Sequence, residues 1–121
     1  MKVIIAGSRF LVNEEAWFER LDEFQEKLQR IAHIEITEVV CGMQRGADLI
    51  GKAWAESKNI PVKDFPADWD TYIKAAGPIR NKQMADYADE AIVIWDGESR
   101  GSKNMIETMK KLGKPVYEVK I

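Results

Sequence analysis

The stretch Ala91-Ile92-Val93-Ile94-Trp95 is the most apolar run of the sequence, and the polar pair Asp96-Gly97 follows it. An apolar run of this length that ends at a turn signal predicts a buried β-strand. Four further runs of this kind predict four more strands, at Val3–Ala6, Ile36–Cys41, Val62–Phe65 and Val116–Val119. The sequence therefore predicts a protein built on five short strands.

Longer amphipathic stretches between these runs predict helices. After Asn13, a favoured N-cap residue, apolar side chains recur three or four positions apart, at Trp17, Leu21, Phe24, Leu28 and Ile31. Three later stretches also predict helices, at Ala47–Ser57, Ile79–Ala88 and Gly101–Leu112. The segment Pro66–Pro78 predicts a loop with room for a helical turn at Thr71–Ala75.

Strands and helices alternate along the chain, which is the pattern of a parallel sheet with helices on both faces. Connections between parallel strands are right-handed, and this restricts the strand order. We predict an α/β fold: a single Rossmann-like, three-layer domain over residues 1–121, with a five-stranded parallel sheet in the order 3-2-1-4-5. The flavodoxin-like order 2-1-3-4-5 is the alternative.

The composition excludes several kinds of site. One cysteine, Cys41, rules out an intramolecular disulfide, and with one histidine, His33, it rules out zinc sites of four cysteines or of paired cysteines and histidines. Cys41 is predicted to be a small packed residue, and His33 to lie opposite the ligand crevice. We expect no metal and no cofactor. Without a recognisable targeting or membrane-spanning segment, and with one unpaired cysteine, the sequence predicts a cytoplasmic protein without a membrane partner.

Glycines and arginines concentrate in the loops that follow the predicted strands. These loops hold six of the eight glycines and four of the six arginines, whereas the twelve lysines lie mostly on helical surfaces. In a parallel sheet such loops border the ligand crevice. Glycine amides, helix N-termini and guanidinium groups together predict an anion site, most simply a phosphate site. The sequence has no G-x-G-x-x-G after the first strand and no P-loop, so neither standard phosphate-binding motif is present.

Candidate ligand contacts in these loops are Gly7, Ser8, Arg9, Gly42, Arg45, Gly46, Asp48, Trp69, Arg80, Asn81, Asp96, Gly97, Ser99, Gly101 and Ser102. Asp48 and Asp96 can hold ribose hydroxyls or an arginine, and Asp48 can instead be a helix-capping acid. Trp69 lies in a polar loop and either stacks on a base or covers the edge of the core. Ser99 and Ser102 are either phosphate donors or ordinary N-cap residues.

Five ordered motifs in these loops resemble a known family. They are Ile5–Arg9, Cys41–Asp48, Phe65–Trp69, Ala76–Asn81 with Met84-Ala85, and Trp95–Ser102. Together they are similar to the YspA-like branch of the SLOG superfamily, which is common in phages and bacteria and is related to the Lonely Guy phosphoribohydrolases and DprA. The resemblance implies a Rossmann-like fold, a nucleotide or nucleotide-derived ligand at the carboxyl edge of the sheet, and self-association into a homo-oligomer.

The sequence departs from the hydrolase branch of that superfamily at one position. In that branch an arginine precedes the fourth strand and a G-T-x-x-E motif follows it. Arg80 matches the arginine, but Met105 stands where the glutamate would be. A thioether cannot act as a general base, and Glu107 lies about 200° further around the helix. The remaining catalytic candidates are Asp96, Asp48 and Arg80, and whether the protein is an enzyme stays open.

Three functions follow from these observations. The first is a binding module or sensor for a nucleotide-like small molecule, with phosphate held by the loop arginines. The second is an N-glycosidic nucleotide hydrolase of the phosphoribohydrolase type, with Asp96, Asp48 or Glu98 as its carboxylate. The third is single-stranded nucleic-acid binding along the same edge, which the formal charge of −2 and the lack of interleaved aromatic residues disfavour.

Overall fold

The computed structural model describes all 121 residues. The chain forms five strands and five α-helices, in the order β1 (Lys2–Gly7), α1 (Glu14–Ala32), β2 (Glu38–Cys41), α2 (Ala47–Ser57), β3 (Val62–Asp64), α3 (Trp69–Tyr72), α4 (Ala76–Tyr87), β4 (Glu90–Trp95), α5 (Arg100–Lys111) and β5 (Val116–Lys120). One turn of 3-10 helix, Ile73–Ala75, joins α3 to α4. None of the helices has the length and apolar composition needed to cross a membrane.

The strands form one parallel sheet in the order β3-β2-β1-β4-β5. This confirms the predicted order 3-2-1-4-5, and the flavodoxin-like alternative is wrong. β1 lies beside β4, with Ile4 opposite Ala91 and Gly7 opposite Ile94. Because the strand order reverses between these two strands, their carboxyl ends border the crevice where ligands bind in such sheets. β2 begins at Glu38, two residues later than predicted.

Successive side chains of the central strands point to opposite faces of the sheet and pack into two separate cores, one on each face. The first core packs the sheet against α1 and α2 and includes Val3, Ile5, Leu21, Leu28 and Trp54. The second packs the sheet against α4 and α5 and includes Ile4, Ala6, Met84, Met105 and Met109. The predicted covering of both faces by helices is therefore confirmed.

Helix α1 differs from its prediction at both ends. Asn13 precedes the first turn, but it has a φ of 69° and its side chain makes no capping hydrogen bond. Ile31 is 73% exposed and does not join the apolar stripe. At about 100° per residue, Ile31 points about 80° away from Leu21, whereas Leu28 points within about 20° of it. The predicted stripe is right at Leu21 and Leu28, which are both buried, and wrong at Ile31.

The segment predicted as a loop, residues 66–78, is largely helical. Helix α3 and the 3-10 turn fill its middle, and α4 begins at Ala76 rather than at Ile79. Pro78 lies in the first turn of α4, where backbone N–H groups have no partner within the helix and a proline is tolerated. The earlier start of α4 matters for function, because Gly77 and Pro78 lie at the ligand edge of the sheet.

Candidate functional site

The chain passes very close to β4 where β1 ends. Gly7 has a φ of 148°, and a side chain at this position would overlap the backbone carbonyl of Ile94 in the neighbouring strand. The next residue, Ser8, donates its backbone N–H to the same carbonyl oxygen at 2.8 Å. Only glycine permits this approach. It brings the loop after β1 against the end of β4, at the reversal point of the sheet.

A cleft of about 310 Å³ opens beyond these strand ends, and we term it the cationic cleft. Its charged lining residues are Arg9, Lys74, Arg80 and Arg100, and no carboxylate lines it. The rest of the lining comes from Gly7, Gln44, Trp69, Gly77, Pro78, Asn81, Ser99, Gly101 and Asn104. The four cations of the lining create a positive potential that favours an anionic ligand, and the Asp48 carboxyl opposes that potential beside Arg80.

A small inner cavity of about 30 Å³ continues beneath the cleft. It shares Gly7, Gln44, Arg80, Asn81, Ser99 and Gly101 with the cleft. Its own lining adds Ala6, Asp48, Met84, Ser102 and Met105. The cavity has room for about one or two water molecules. Met105 thus forms part of its floor, at the position where the hydrolase branch of the superfamily carries a glutamate.

Arg80 holds the base of the cleft together. Its side chain is almost fully buried, with Nη1 donating to the carbonyl oxygen of Gly42 and Nε donating to Asn81 Oδ1 at 3.0 Å. Asn81 in turn donates to the Gly101 carbonyl oxygen at 3.2 Å and to Asn104 Oδ1 at 3.0 Å. These bonds tie α4 to α5 and to the loop after β2. Nη2 of Arg80 has no protein partner and remains available to a ligand.

Asp48 is a buried carboxyl group in the inner cavity. Burial raises its pKa to about 6, against the opposing influence of the Arg80 charge and of N–H groups from the Gln44, Gly7 and Gly42 backbone. A methyl group at Gly42 would lie 2.6 Å from Asp48 Oδ2 and 2.8 Å from Arg80 Nη1, so only glycine leaves space for both groups. Asp48 lies in the first turn of α2, and its Oδ2 accepts the backbone N–H of Gln44 at 3.4 Å.

The N-terminus of α5 lies at the cleft, and its loop is fastened by side chains. Ser99 Oγ accepts the backbone N–H of Ser102 at 3.4 Å, as an N-cap. Asp96 Oδ1 accepts the N–H groups of Glu98 at 2.8 Å and Ser99 at 3.2 Å, and these bonds lower the pKa of Asp96. The backbone N–H of Gly101 has no protein partner. This terminus can therefore offer a free amide to a ligand.

A second depression of about 310 Å³ adjoins the cationic cleft, and we term it the Phe10 pocket. Its lining residues are Ser8, Arg9, Phe10, Asp96, Glu98, Ser99, Arg100 and Gly101. The two depressions have Arg9, Ser99, Arg100 and Gly101 in common. Unlike the cleft, the Phe10 pocket contains two carboxylates and no lysine.

The structure brings most of the predicted contact residues together. The cleft and the inner cavity are lined by Gly7, Arg9, Asp48, Trp69, Arg80, Asn81, Ser99, Gly101 and Ser102. Ser8 and Asp96 line the Phe10 pocket instead. Four predicted contacts line neither depression: Gly42, Arg45, Gly46 and Gly97. The guanidinium carbon of Arg45 lies 5.6 Å from the centre of the Phe10 ring.

Sequence reasoning missed several lining residues, namely Phe10, Gln44, Lys74, Gly77, Pro78, Arg100 and Asn104. Gln44 and Arg100 lie inside the glycine-rich loops, so treating every polar residue of those loops as a candidate would have found them. Asn104 lies one helical turn beyond Arg100, on the same face of α5. Gly77 and Pro78 lie within the motif Ala76–Asn81 at the same edge, so they too could have been candidates, whereas Lys74 lies outside every motif.

Cys41 and His33 do not line either depression. Cys41 is fully buried, and burial raises the pKa of its thiol to about 11, so it is not a nucleophile at neutral pH. His33 ends α1 in the left-handed conformation. Both residues therefore have the structural roles that the sequence predicts.

Comparisons with known proteins agree with this architecture. A family model described as YAcAr, the YspA, cpYpsA-related SLOG family, matches residues 1–72. The Gene 61 protein of Mycobacterium phage D29 is 32% identical in an alignment of 124 positions that spans 95% of this chain and 93% of that protein. Among solved structures, DNA processing protein A (DprA) from Streptococcus pneumoniae is similar, with a TM-score of 0.72 and 19% identity. That alignment covers 97% of this chain and 49% of the DprA chain, so this chain spans about half the length of DprA. The resemblance noted in the sequence is confirmed: the chain belongs to the YspA, cpYpsA-related SLOG family.

Proposed function

We propose that the cationic cleft binds the phosphate of a nucleotide or nucleotide-derived ligand, and that the protein is a binding module or sensor. The observation that carries the proposal is the convergence of Arg9, Lys74, Arg80 and Arg100 on a cleft without a carboxylate. Guanidinium groups present paired donors that suit phosphate oxygens. The N-terminus of the 12-residue helix α5 adds a positive dipole end and the free amide of Gly101.

Other features of the cleft favour a nucleotide over a bare phosphate ion. Trp69 is 53% exposed in the lining, where its ring can stack on a base. Gln44 and Asn104 offer amide donors and acceptors that suit base edges and sugar hydroxyls. The cleft volume of about 310 Å³ falls within the range of small-molecule sites. Membership of the SLOG family supports the same ligand class.

Calorimetry and thermal shift with AMP, ADP, ADP-ribose and inorganic phosphate test the proposal. At least one nucleotide is expected to raise Tm and to bind more tightly than phosphate alone. Arg100→Ala is expected to weaken that binding about tenfold or more, since a charge-assisted hydrogen bond contributes about 1.5–3 kcal/mol.

Arg30→Ala is the matched control, because Arg30 pairs only with Glu26 on the exposed face of α1. The control is expected to bind like the wild type. Failure of every nucleotide to bind, or equal weakening by both variants, would overturn the proposal.

The position of Asp48 favours a second candidate function, N-glycosidic nucleotide hydrolysis. This carboxyl lines the inner cavity, and its pKa of about 6 lies near the range that suits a general acid or base. Met105 in the cavity floor argues the other way, because it supplies no carboxylate. Chromatography for free base after incubation with nucleotides decides between a binding module and a hydrolase. Release of free base by the wild type but not by Asp48→Asn would establish the hydrolase.

Nucleic-acid binding, self-association and a cytoplasmic location stay predictions. The similar solved structure is named a DNA processing protein. Single-stranded nucleic acid therefore stays an alternative ligand for the carboxyl edge of the sheet. Two measurements test the first two of these predictions directly. Salt-dependent binding of a single-stranded oligonucleotide would favour the nucleic-acid alternative, and sedimentation equilibrium would give the oligomeric state.

A further inference from the structure

We propose that the ligand is bipartite: two nucleoside units joined through phosphate, one in the cationic cleft and one in the Phe10 pocket. This inference rests on the proposed function of the cleft and extends it to a ligand class. The two depressions have similar volumes of about 310 Å³, and they share the guanidinium groups of Arg9 and Arg100 and the backbone at Gly101. A shared cationic boundary between two open depressions is what a bridging phosphate group requires.

Each depression carries one exposed aromatic side chain. Trp69 lines the cleft, and Phe10, which is 73% exposed, lines the neighbouring pocket. Exposed rings flanked by cations are the surfaces on which bases stack in nucleotide-binding proteins. The guanidinium carbons of Arg9 and Arg45 lie 5.9 Å and 5.6 Å from the centre of the Phe10 ring.

The loop after β1 holds Phe10 outward. The backbone N–H of Phe10 donates to Ser8 Oγ at 3.3 Å, and the backbone N–H of Leu11 donates to the Ser8 carbonyl oxygen at 3.4 Å. The Leu11 side chain is buried in the core, which anchors the loop on the far side of Phe10. The ring is therefore presented to the pocket by its neighbours on both sides.

The charges of the two depressions differ in a way that orients such a ligand. The cleft has no carboxylate, whereas the Phe10 pocket contains Asp96 and Glu98. The hydrogen bonds to the loop amides use Asp96 Oδ1, so Oδ2 remains without a protein partner. Carboxylates repel phosphate and accept hydrogen bonds from ribose hydroxyls. The phosphate bridge thus lies on the shared arginines, and the second nucleoside lies toward Phe10. A lone mononucleotide would leave one of the two depressions empty.

Calorimetry with three probes tests the inference: AMP, a pyrophosphate-bridged diadenosine and the phosphodiester-bridged dinucleotide pApA. At least one of the bridged probes is expected to bind tenfold or more tightly than AMP. The tighter of the two identifies the source, a free dinucleotide for the pyrophosphate bridge or the end of a strand for the phosphodiester. Phe10→Ala is expected to reduce the affinity for that probe to the level of AMP and to leave AMP binding unchanged.

Val12→Ala is the control, because Val12 is an exposed apolar residue of the same loop that does not line the pocket. The variant is expected to bind all three probes like the wild type. Equal affinity for AMP and both bridged probes, or a Phe10→Ala variant that weakens none of them or weakens AMP equally, would overturn the bipartite ligand and leave nucleotide binding intact. Absence of binding by all three probes would overturn the proposed function as well.

Discussion

At the scale of the residue, two glycines of the site face opposite constraints. The backbone of Gly7, with its φ of 148°, lies so close to the Ile94 carbonyl that a methyl group would overlap it, whereas a methyl group at Gly101 would meet nothing within 4 Å. We expect Gly7→Ala to lower the free energy of unfolding by about 3 kcal/mol, from overlap and backbone strain. Gly101→Ala is expected to raise it by about 0.5–1 kcal/mol, because alanine is the better helix former.

Urea denaturation of the two alanine variants and the wild type measures both changes. Similar stability of Gly7→Ala and the wild type would mean that β1 and β4 do not approach as closely as described. A destabilised Gly101→Ala would mean that the start of α5 is more crowded than its open surroundings indicate.

The buried carboxyl of Asp48 makes stability depend on pH. Its pKa is about 6 in the folded protein against an ordinary value of 3.8, so the folded state binds the proton more tightly than the unfolded chain does. Stability associated with the protonated group is therefore complete below about pH 4 and is lost as pH rises through about 6. At 1.36 kcal/mol for each pKa unit, the loss is on the order of 3 kcal/mol.

Asp48→Asn is expected to lack this loss. The stability of the wild type relative to the variant should fall between about pH 4 and pH 7, and subtraction removes the titration of the other carboxyl groups that both proteins share. Urea denaturation across that range supplies the measurement. A difference that stays constant with pH, or rises, would contradict the raised pKa.

Arg80 marks the limit of what sequence reasoning could predict about single residues. Its position in a glycine-rich edge indicated a ligand contact, and it does line the cleft. Two of its three side-chain nitrogens, however, bind the protein itself, through Gly42 and Asn81. That role depends on the approach of α4 to the loop after β2, which are 38 positions apart in the sequence. No local pattern encodes the approach.

At the scale of the element, not every apolar residue of helix α1 that fits the helical spacing packs against the core. Leu28 belongs to the core, and Ile31 is mostly exposed at the last turn. We expect Leu28→Ala to lower the free energy of unfolding by about 2–4 kcal/mol, since it removes buried methyl groups. Ile31→Lys is expected to change it by less than about 0.5 kcal/mol. Urea denaturation curves compare the free energies of unfolding of the two variants. A large loss of stability in Ile31→Lys would show that another surface covers this residue.

The elements that were predicted well are those with a strong local signal. The apolar runs of β1 and β4 and the amphipathic α2 and α5 lie within one or two residues of their predicted bounds. The segment before α4 was predicted poorly, because Gly77 and Pro78 read as loop residues although both fit the first turn of a helix. Gly77 and Pro78 were nevertheless placed at the ligand edge by their motif, whereas Lys74, in the turn before α4, was not identified as part of the cleft.

At the scale of the whole molecule, the strand order and three of the four cleft cations were predictable, whereas Lys74 and the lack of a carboxylate in the lining were not. Alternation of strands and helices, with right-handed crossovers, left few orders to consider. The four cations of the cleft, in contrast, come from four separate places: the loop after β1, the turn before α4, α4 itself and the start of α5. Their convergence without a carboxylate depends on how those places meet across the sheet edge.

This separation of charge predicts how binding responds to salt. The chain has a formal charge of −2, and the cleft holds four positive groups, so the remaining groups carry a formal charge of −6. Salt shortens the range over which the cleft attracts an anion, from about 10 Å at 0.1 M to about 3 Å at 1 M. We expect the affinity for AMP to fall roughly fivefold to tenfold between 0.05 M and 0.5 M NaCl. Lys74→Ala should reduce this dependence, whereas Lys111→Ala, at the far end of α5, should not. Calorimetry at several salt concentrations measures the slopes, and a wild-type slope of zero would mean that the cleft cations do not meet the phosphate.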